Sequence, residues 1–277
     1  MQKKSILITG CSSGIGYDSA CTLHRRGWQV FATCRKKEDC ERLRAEGLES
    51  FVLDYENPKS ITSAVKKVVK LTGGTLDALF NNGAYAIPGA VEDLPRDALK
   101  QTFEANLFGW HDLIVQVIPI MRAQGHGRII NCSSVLGFIP MRWRGSYVAT
   151  KYALEGLTDT LRIEMRDTNI KIILLQPGPI TSKFRHNSII GFEKWIKWQN
   201  SARASQYKSI LINRLYNKSL QKDQFELPAS AVTKKLIRAL EEANPKSKYM
   251  ITIPTYVSAI LKRFLPTPWF DKFMSKR

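Results

Sequence analysis

The strongest constraint in this 277-residue sequence is a rhythm. Short apolar runs alternate with longer stretches of helical periodicity, and each run ends in a turn rich in Gly, Asn, Asp, Ser or Pro. Residues 4–9 read as a buried strand, followed by Gly10, Gly14 and Gly16 and a helix to about Arg26. Strands are then expected at Trp28–Cys34, Ser50–Leu53, Leu76–Phe80, Arg128–Asn131 and Ile170–Leu175. Helices are expected over Glu38–Ala45, from Pro58 with Ile61, Val65, Val68 and Leu71 on one face, over Arg96–Met121, and after Gly145. A further helix from Pro228 to about Ala243 and a seventh strand, Lys248–Ile253, close the pattern. This alternation predicts the α/β class: one domain built on a doubly wound parallel sheet of about seven strands, with helices on both faces. Ligands of such sheets sit outside the C-terminal ends of the strands, where Gly10, Arg35, Asn81, Ser134 and Pro177 fall.

Hydrophobic residues make up 44% of the chain, enough for a sizeable core and too many for disorder. Net charge is +18, which admits nucleic acid, an anionic membrane surface or a phosphorylated ligand without choosing among them. No helix-turn-helix or single-strand motif accompanies the charge, so no nucleic acid is expected. The five cysteines (11, 21, 34, 40, 132) are odd in number and lack metal spacing, as do the scattered histidines. They read as reduced thiols of a cytoplasmic protein, with no metal expected. No apolar run reaches the length of a membrane span, and the first apolar run is too short for a signal peptide.

The first turn has the spacing Gly-x-x-x-Gly-x-Gly between a strand and a helix. Gly10 allows the tight turn, Gly14 lets a phosphate approach the backbone, and Gly16 lets helix and strand pack closely. The helix N-terminus then offers free N–H groups to an anion. The second strand ends in Cys34-Arg35-Lys36-Lys37, where a dinucleotide-binding domain meets the adenosine ribose. An acid there would read a 2′-hydroxyl; Arg35, helped by Lys36 or Ser13, suits a 2′-phosphate and points to NADP(H). Asp54 ends the third strand, placed to accept from an adenine amino group. Asn81-Asn82-Gly83-Ala84 suits a turn beside the cofactor crevice, and Asn106 stands mid-helix, where an amide is unfavourable unless something uses it.

Tyr147 and Lys151 are one helical turn apart on a segment whose apolar positions are Val148, Tyr152, Leu157, Leu161 and Met165. A cation near a phenol favours the phenolate and lowers its pKa, making a tuned proton donor. The same spacing also describes a solvated pair, and only the rest of the chain weighs against that. From Ser182 to about Phe225 the rhythm breaks into a basic stretch holding Ile189, Ile190, Phe192, Trp195, Ile196, Trp198 and Tyr207 among lysines that include Lys218 and Lys222. An insertion of this length (182–226) reads as a substrate lid, its apolar side chains lining a hydrophobic pocket and its lysines facing water. The tail 254–277 is amphipathic, basic and aromatic, and ends in Lys276-Arg277. It closes the pocket, makes peripheral contact with an anionic membrane, or packs on its own domain.

Together these residues resemble the classical short-chain dehydrogenase/reductase family over roughly residues 4–182. The motifs are Thr9-Gly10-(x)3-Gly14-Ile15-Gly16, Asp54, Asn81-Asn82-Gly83-Ala84, Asn106, Ser134, Tyr147-(x)3-Lys151 and Pro177-Gly178. The run Tyr147 to Arg162 is similar to the hydroxysteroid and retinol dehydrogenases and bacterial aldehyde reductases. One departure is that the family's usual Asn-Asn-Ala-Gly here has Gly and Ala exchanged. The resemblance implies a Rossmann-type fold and a catalytic set of Asn106, Ser134, Tyr147 and Lys151. Tyr147 would be the acid, Ser134 would polarise the carbonyl, Lys151 would lower the tyrosine pKa and bind the nicotinamide ribose, and Asn106 would hold a water linking Lys151 to solvent. Ser134, thirteen residues before Tyr147, is preferred to Ser133. Gly10, Ser12, Ser13, Gly14, Ile15, Gly16, Arg35, Asp54, Asn82, Tyr147, Lys151, Pro177, Gly178 and Thr181 would contact NADP(H). The expected function is NADPH-dependent reduction of apolar aldehydes or ketones to alcohols, reversibly, by a homodimer or homotetramer. The alternative is a cofactor-binding sensor of the same fold without significant turnover, and the intact set of four argues against it.

Overall fold

A computed structural model describes residues 3–217 and 223–275. The basic positions Lys218, Lys222, Lys276 and Arg277 lie outside the described residues. The strands are β1 (Ser5–Ile8), β2 (Gln29–Cys34), β3 (Glu49–Val52), β4 (Ala78–Asn81), β5 (Gly127–Cys132), β6 (Ile170–Pro177) and β7 (Lys248–Ile251). They form one parallel seven-stranded sheet in the order β3-β2-β1-β4-β5-β6-β7. The chain leaves β1 outward to β3 and returns to β4 on the other side, so the order reverses between β1 and β4. Ile6 pairs with Val30 on one side and Ala78 on the other. Ile6, Leu7, Ile8, Leu79 and Phe80 are fully buried, as expected of strands covered on both faces.

The helices between strands are α1 (Gly14–Arg25), α2 (Lys37–Ala45), α3 (Pro58–Thr72), α4 (Arg96–Phe103), α5 (Gly109–Ala123) and α6 (Gly145–Glu164). A π-helical turn, Glu104–Phe108, joins α4 to α5 and carries Asn106. Helix α1 packs against the helix Ser230–Glu241, and α3 packs against α5. The start of α3 is fully specified locally: Pro58 occupies its first turn, and the Asn57 side chain accepts from Lys59 N and Ser60 N. Ile61, Val65 and Val68 of α3 are buried as expected, but Leu71 is exposed, and Ala64 and Thr72 complete the inner face instead.

Helix α6 also departs from its apolar periodicity. Tyr152 and Leu157 are exposed, while Ser146, Tyr147, Thr150, Lys151, Leu154, Glu155 and Thr158 face inward. The face it buries is polar because it lines a chain of hydrogen bonds at the sheet's C-terminal edge. Asn81 Nδ2 donates to Asn131 Oδ1 at 3.0 Å, and Asn131 Nδ2 donates to Thr158 Oγ1 at 3.0 Å.

The stretch after β6 holds α7 (Phe184–Trp195) and a helical run over 204–216. Several of its apolar side chains pack into a core of their own. Phe192, Ile196, Tyr207, Leu211 and Leu215 form a small core with Ile87 and Ala98. Tyr207 locks it: its hydroxyl donates to Asp93 Oδ2 at 2.8 Å and accepts from Ala90 N at 2.7 Å. A segment this long needs hydrophobic burial of its own to hold its shape. After β7 come two helices, Ile253–Phe264 and Thr267–Ser275. Among the described residues no helix is long and apolar enough to cross a membrane.

Candidate active site

The glycine turn follows β1. Gly10 has φ 69°, and a Cβ on it would lie 2.6 Å from Gly83 Cα. A Cβ on Gly16 would lie 2.3 Å from the Gly10 carbonyl oxygen. Only hydrogens fit at these two contacts, so the turn after β1, the start of α1 and the turn after β4 form one tight unit. Asn82 fastens it, its Nδ2 donating to Thr9 O at 3.0 Å while its backbone N donates to Thr9 Oγ1 at 2.9 Å. The exchanged Gly83-Ala84 also has a local cause: a Cβ at residue 83 would lie 3.3 Å from both Gly10 N and the Tyr55 ring. Ser13 precedes helix α1, and its side chain makes no capping bond, unlike Asn57 at α3. The first-turn amides of α1 therefore remain available to an anion, with Ser12, Ser13 and Ile15 half-buried around them.

Tyr147 and Lys151 stand in the first two turns of α6, 8% and 1% exposed respectively. Lys151 Nζ donates to the Cys132 carbonyl at 2.8 Å and lies 4.2 Å from the centre of the Trp110 ring. Trp110 Nε1 donates in turn to the Gly83 carbonyl at 2.9 Å. The chain Lys151, Trp110, Gly83, Gly10 thus joins the phenol–amine pair to the glycine turn. Burial lowers the Lys151 pKa to about 8, against the opposing pull of Cys132 and Glu155.

Tyr147 differs from expectation in one respect. Its pKa is raised, because burial outweighs a hydrogen bond with the Ser134 side chain. The Lys151 ammonium points to the Cys132 carbonyl and lies 5.6 Å from the centre of the tyrosine ring, so the sequence spacing alone did not set the sign. The phenol ring meets Phe184 edge-on at 5.2 Å and packs with Ala86, Val135, Leu136, Ile139, Phe270 and Met274.

Ser134 begins the short turn Val135–Gly137, and its Oγ accepts from Leu136 N at 3.1 Å. Its neighbour Ser133 has a buried Oγ without a hydrogen-bond partner. Asn106 is wholly buried: its Nδ2 donates to Tyr85 O at 2.8 Å and to Thr150 Oγ1 at 3.3 Å, and its Oδ1 accepts from Tyr85 N. The amide that is costly mid-helix is used to fix the segment after β4 against α6.

The remaining expected residues lie around this centre. Arg35 is exposed at the end of β2. Asp54 follows β3, its carboxylate accepting from Glu56 N at 3.1 Å. A Cβ on Gly178 would lie 2.2 Å from Thr252 Oγ1, which fixes the turn after Pro177 against the segment following β7. Thr181 Oγ1 donates to Glu226 Oε1 at 2.6 Å, so its hydroxyl is engaged by the end of the 182–226 stretch.

Three residues at this site were missed by sequence reasoning. Trp110 lies four after Asn106, and that spacing was the available signal. Tyr55 Oη lies 2.7 Å from both Thr9 Oγ1 and Asn81 Oδ1, tying β1 to β4. Arg42 Nη2 donates to the Ser12 carbonyl at 2.8 Å, bracing the glycine turn from α2. The spacing of Tyr55 and Arg42 gave no sign of either contact.

A family profile described as short chain dehydrogenase matches residues 4–190. The chain is 37% identical to the oxidoreductase YbbO of Escherichia coli over 274 residues, covering 99% of this chain and 95% of that protein. It is 35% identical over 188 residues to a 3-ketodihydrosphingosine reductase of Bacteroides thetaiotaomicron, covering 68% of each chain. Among solved structures, a short chain dehydrogenase/reductase of Burkholderia phymatum in complex with NAD superposes with TM-score 0.79 at 22% identity, over 94% of this chain and 92% of that one.

Proposed function

The chain belongs to the short-chain dehydrogenase family of oxidoreductases, and from that premise we propose that it reduces apolar aldehydes or ketones to alcohols with NADPH, reversibly, with Tyr147 as the proton donor. The observation that carries this reading is the continuous link from Lys151 through Trp110 to Gly83 and Gly10. It joins a buried acid–amine pair to a turn whose close contacts and uncapped helix suit a dinucleotide.

The fit to that cofactor rests on this turn, on Ser12, Ser13 and Ile15 around it, and on Arg35 at the adjoining strand end. When bound, NADPH supplies the hydride. The protein's own part is to hold the carbonyl and give it a proton. Burial keeps the Tyr147 phenol protonated but makes it a weaker acid, so donation to a carbonyl oxygen relies on neighbouring groups that favour its phenolate. Ser134, whose side chain opposes the rise in the Tyr147 pKa, would steady that same oxygen. Lys151 is mostly charged at neutral pH, so it favours the phenolate that remains after donation. The apolar wall of Phe184, Val135, Leu136, Ile139, Phe270 and Met274 excludes water and favours a hydrocarbon substrate. Similarity to a 3-ketodihydrosphingosine reductase and, over 65% of the chain, to human retinol dehydrogenase 8 supports long apolar carbonyls.

The same proposal takes the 182–226 stretch as a lid. It also takes the enzyme as a homodimer or homotetramer built on the helical segments holding Asn106 and Tyr147, where Leu107, Phe108, His111, Ala153, Leu157 and Thr160 line an open surface depression. The test of the function is steady-state NADPH oxidation with aliphatic, aromatic and steroidal carbonyls. Tyr147→Phe is expected to lower kcat by about a thousandfold, and unchanged turnover would overturn the assignment.

A further inference from the structure

The helix Ile253–Phe264 packs Leu261 inward but turns most of its large apolar side chains to water. Its fully buried side chains are hydroxyls, Thr255 and Ser258, with Thr255 wholly inaccessible. Thr255 Oγ1 donates to Ile251 O at 2.8 Å, so the polar face is satisfied where it lies. Its apolar residues Ile253, Tyr256, Val257, Ile260 and Phe264 recur at helical spacing and are all exposed, Ile260 by 60% and Phe264 by 74%. The next helix, Thr267–Ser275, is separated from that helix by two residues and carries Trp269, 69% exposed. Water-facing hydrocarbon concentrated in this way marks a surface that something else covers.

Charge indicates what covers it. Lys262, Arg263 and Lys272 are exposed among these residues, with Asp271 the one carboxylate among 253–275, and Lys276 and Arg277 follow in sequence. A second copy seated face to face on this end would set these exposed basic side chains against their own like. We propose that this C-terminal pair of helices seats on an anionic phospholipid surface. Phe264, Ile260 and Trp269 enter the boundary between headgroups and acyl chains, while the lysines and arginine meet the lipid phosphates. The inner face of the second helix gives the contact a functional place. Phe270 and Met274 pack in the same cluster as Tyr147, so the element that meets lipid also walls the reaction site. A carbonyl compound dissolved in the bilayer then reaches the site from the membrane side.

The test is co-sedimentation of the full chain with phosphatidylcholine vesicles, with and without phosphatidylserine. Binding is expected with phosphatidylserine and is expected to weaken as salt rises. The double variant Phe264→Ser, Trp269→Ser is expected to lower the partition coefficient about tenfold or more. It should keep NADPH turnover of a short water-soluble aldehyde, which separates failure of this inference from failure of the proposed reaction. The inference is overturned if the protein stays in the supernatant with both vesicles, or if the double variant binds as tightly as the parent. It is also overturned if the double variant instead splits an oligomer in sedimentation velocity, which would make a second copy the occupant.

Discussion

Lys151 stands 4.2 Å from the centre of the Trp110 ring, and the indole N–H donates to the carbonyl of Gly83. One side chain therefore holds both the charge of the proposed proton-transfer site and the turn against which the glycine motif packs. Trp110→Phe keeps a ring beneath the ammonium but leaves the Gly83 carbonyl without its indole donor. It is expected to cost about 1–2 kcal/mol of stability in urea unfolding. Trp110→Leu, which also empties part of a fully buried site, should cost about 3 kcal/mol or more. Equal losses in the two variants would show that the hydrogen bond, and not the ring, carries the effect.

The depressed Lys151 pKa makes stability depend on pH with a defined sign. Burial takes the group from 10.5 to about 8 in the folded chain. Between those values the unfolded chain holds a proton that the folded chain has released, so the Lys151 contribution to stability rises with pH across the window, while buried Cys11 and Cys132, whose pKa values are raised, contribute with the opposite sign. Below about 8 the cost of a buried ammonium is present in full. The shift corresponds to an upper bound of about 3 kcal/mol. Lys151→Met should make the change in unfolding free energy between about pH 7 and pH 10 less positive than in the parent. A change of the same size in the variant would place its origin in another group.

The sheet was legible because its strands are buried on both faces and so read as unbroken apolar runs. Ile6, Leu7 and Ile8 could hardly be anything else. The site motifs were legible because a strand–glycine–helix context and a Tyr-x-x-x-Lys pair constrain each other. What escaped depended on partners far away in sequence. Phe192 and Tyr207 pack onto Ile87, Ala98 and Asp93, in a region without a clear period, so nothing marked them as core rather than pocket. Helix α6 buries hydroxyls, a lysine and a glutamate, and a reading based on hydrophobic period therefore put its inner face in the wrong place. Spacing brought Lys151 near Tyr147, but it could not show that the ammonium turns toward the Cys132 carbonyl.

Glycines on α1 and α6 give opposite expectations. Gly16→Ala would put a Cβ 2.3 Å from the Gly10 carbonyl oxygen and 2.8 Å from Asn82 Nδ2. Both neighbours belong to the turn, so the backbone must shift, at a cost of about 2 kcal/mol and with weaker NADPH binding. At Gly156, on the exposed part of α6, an added Cβ meets nothing within 4 Å. Gly156→Ala should stabilise by about 0.5–1 kcal/mol through helix propensity alone. Urea midpoints with nucleotide titrations check both, and a neutral Gly16→Ala would contradict the packing described for the turn.

Arg35 is expected to decide which dinucleotide the proposed crevice prefers. It is exposed directly after β2, and the next two residues, Lys36 and Lys37, are also basic. No carboxylate occupies the strand end where a 2′-hydroxyl would be read. A guanidinium there can pair with a 2′-phosphate through two N–H donors, an interaction NADH cannot offer. The glycine turn is held separately, by Arg42 on the Ser12 carbonyl and by Asn82 on Thr9, so loss of Arg35 should leave the shared part of the dinucleotide site intact. Arg35→Ala is therefore expected to weaken NADPH about ten- to a hundredfold and to leave NADH nearly unchanged. Fluorescence titration of the two nucleotides against parent and variant measures it directly. A parallel loss for both would mean that Arg35 supports the fold of the crevice instead of reading the phosphate.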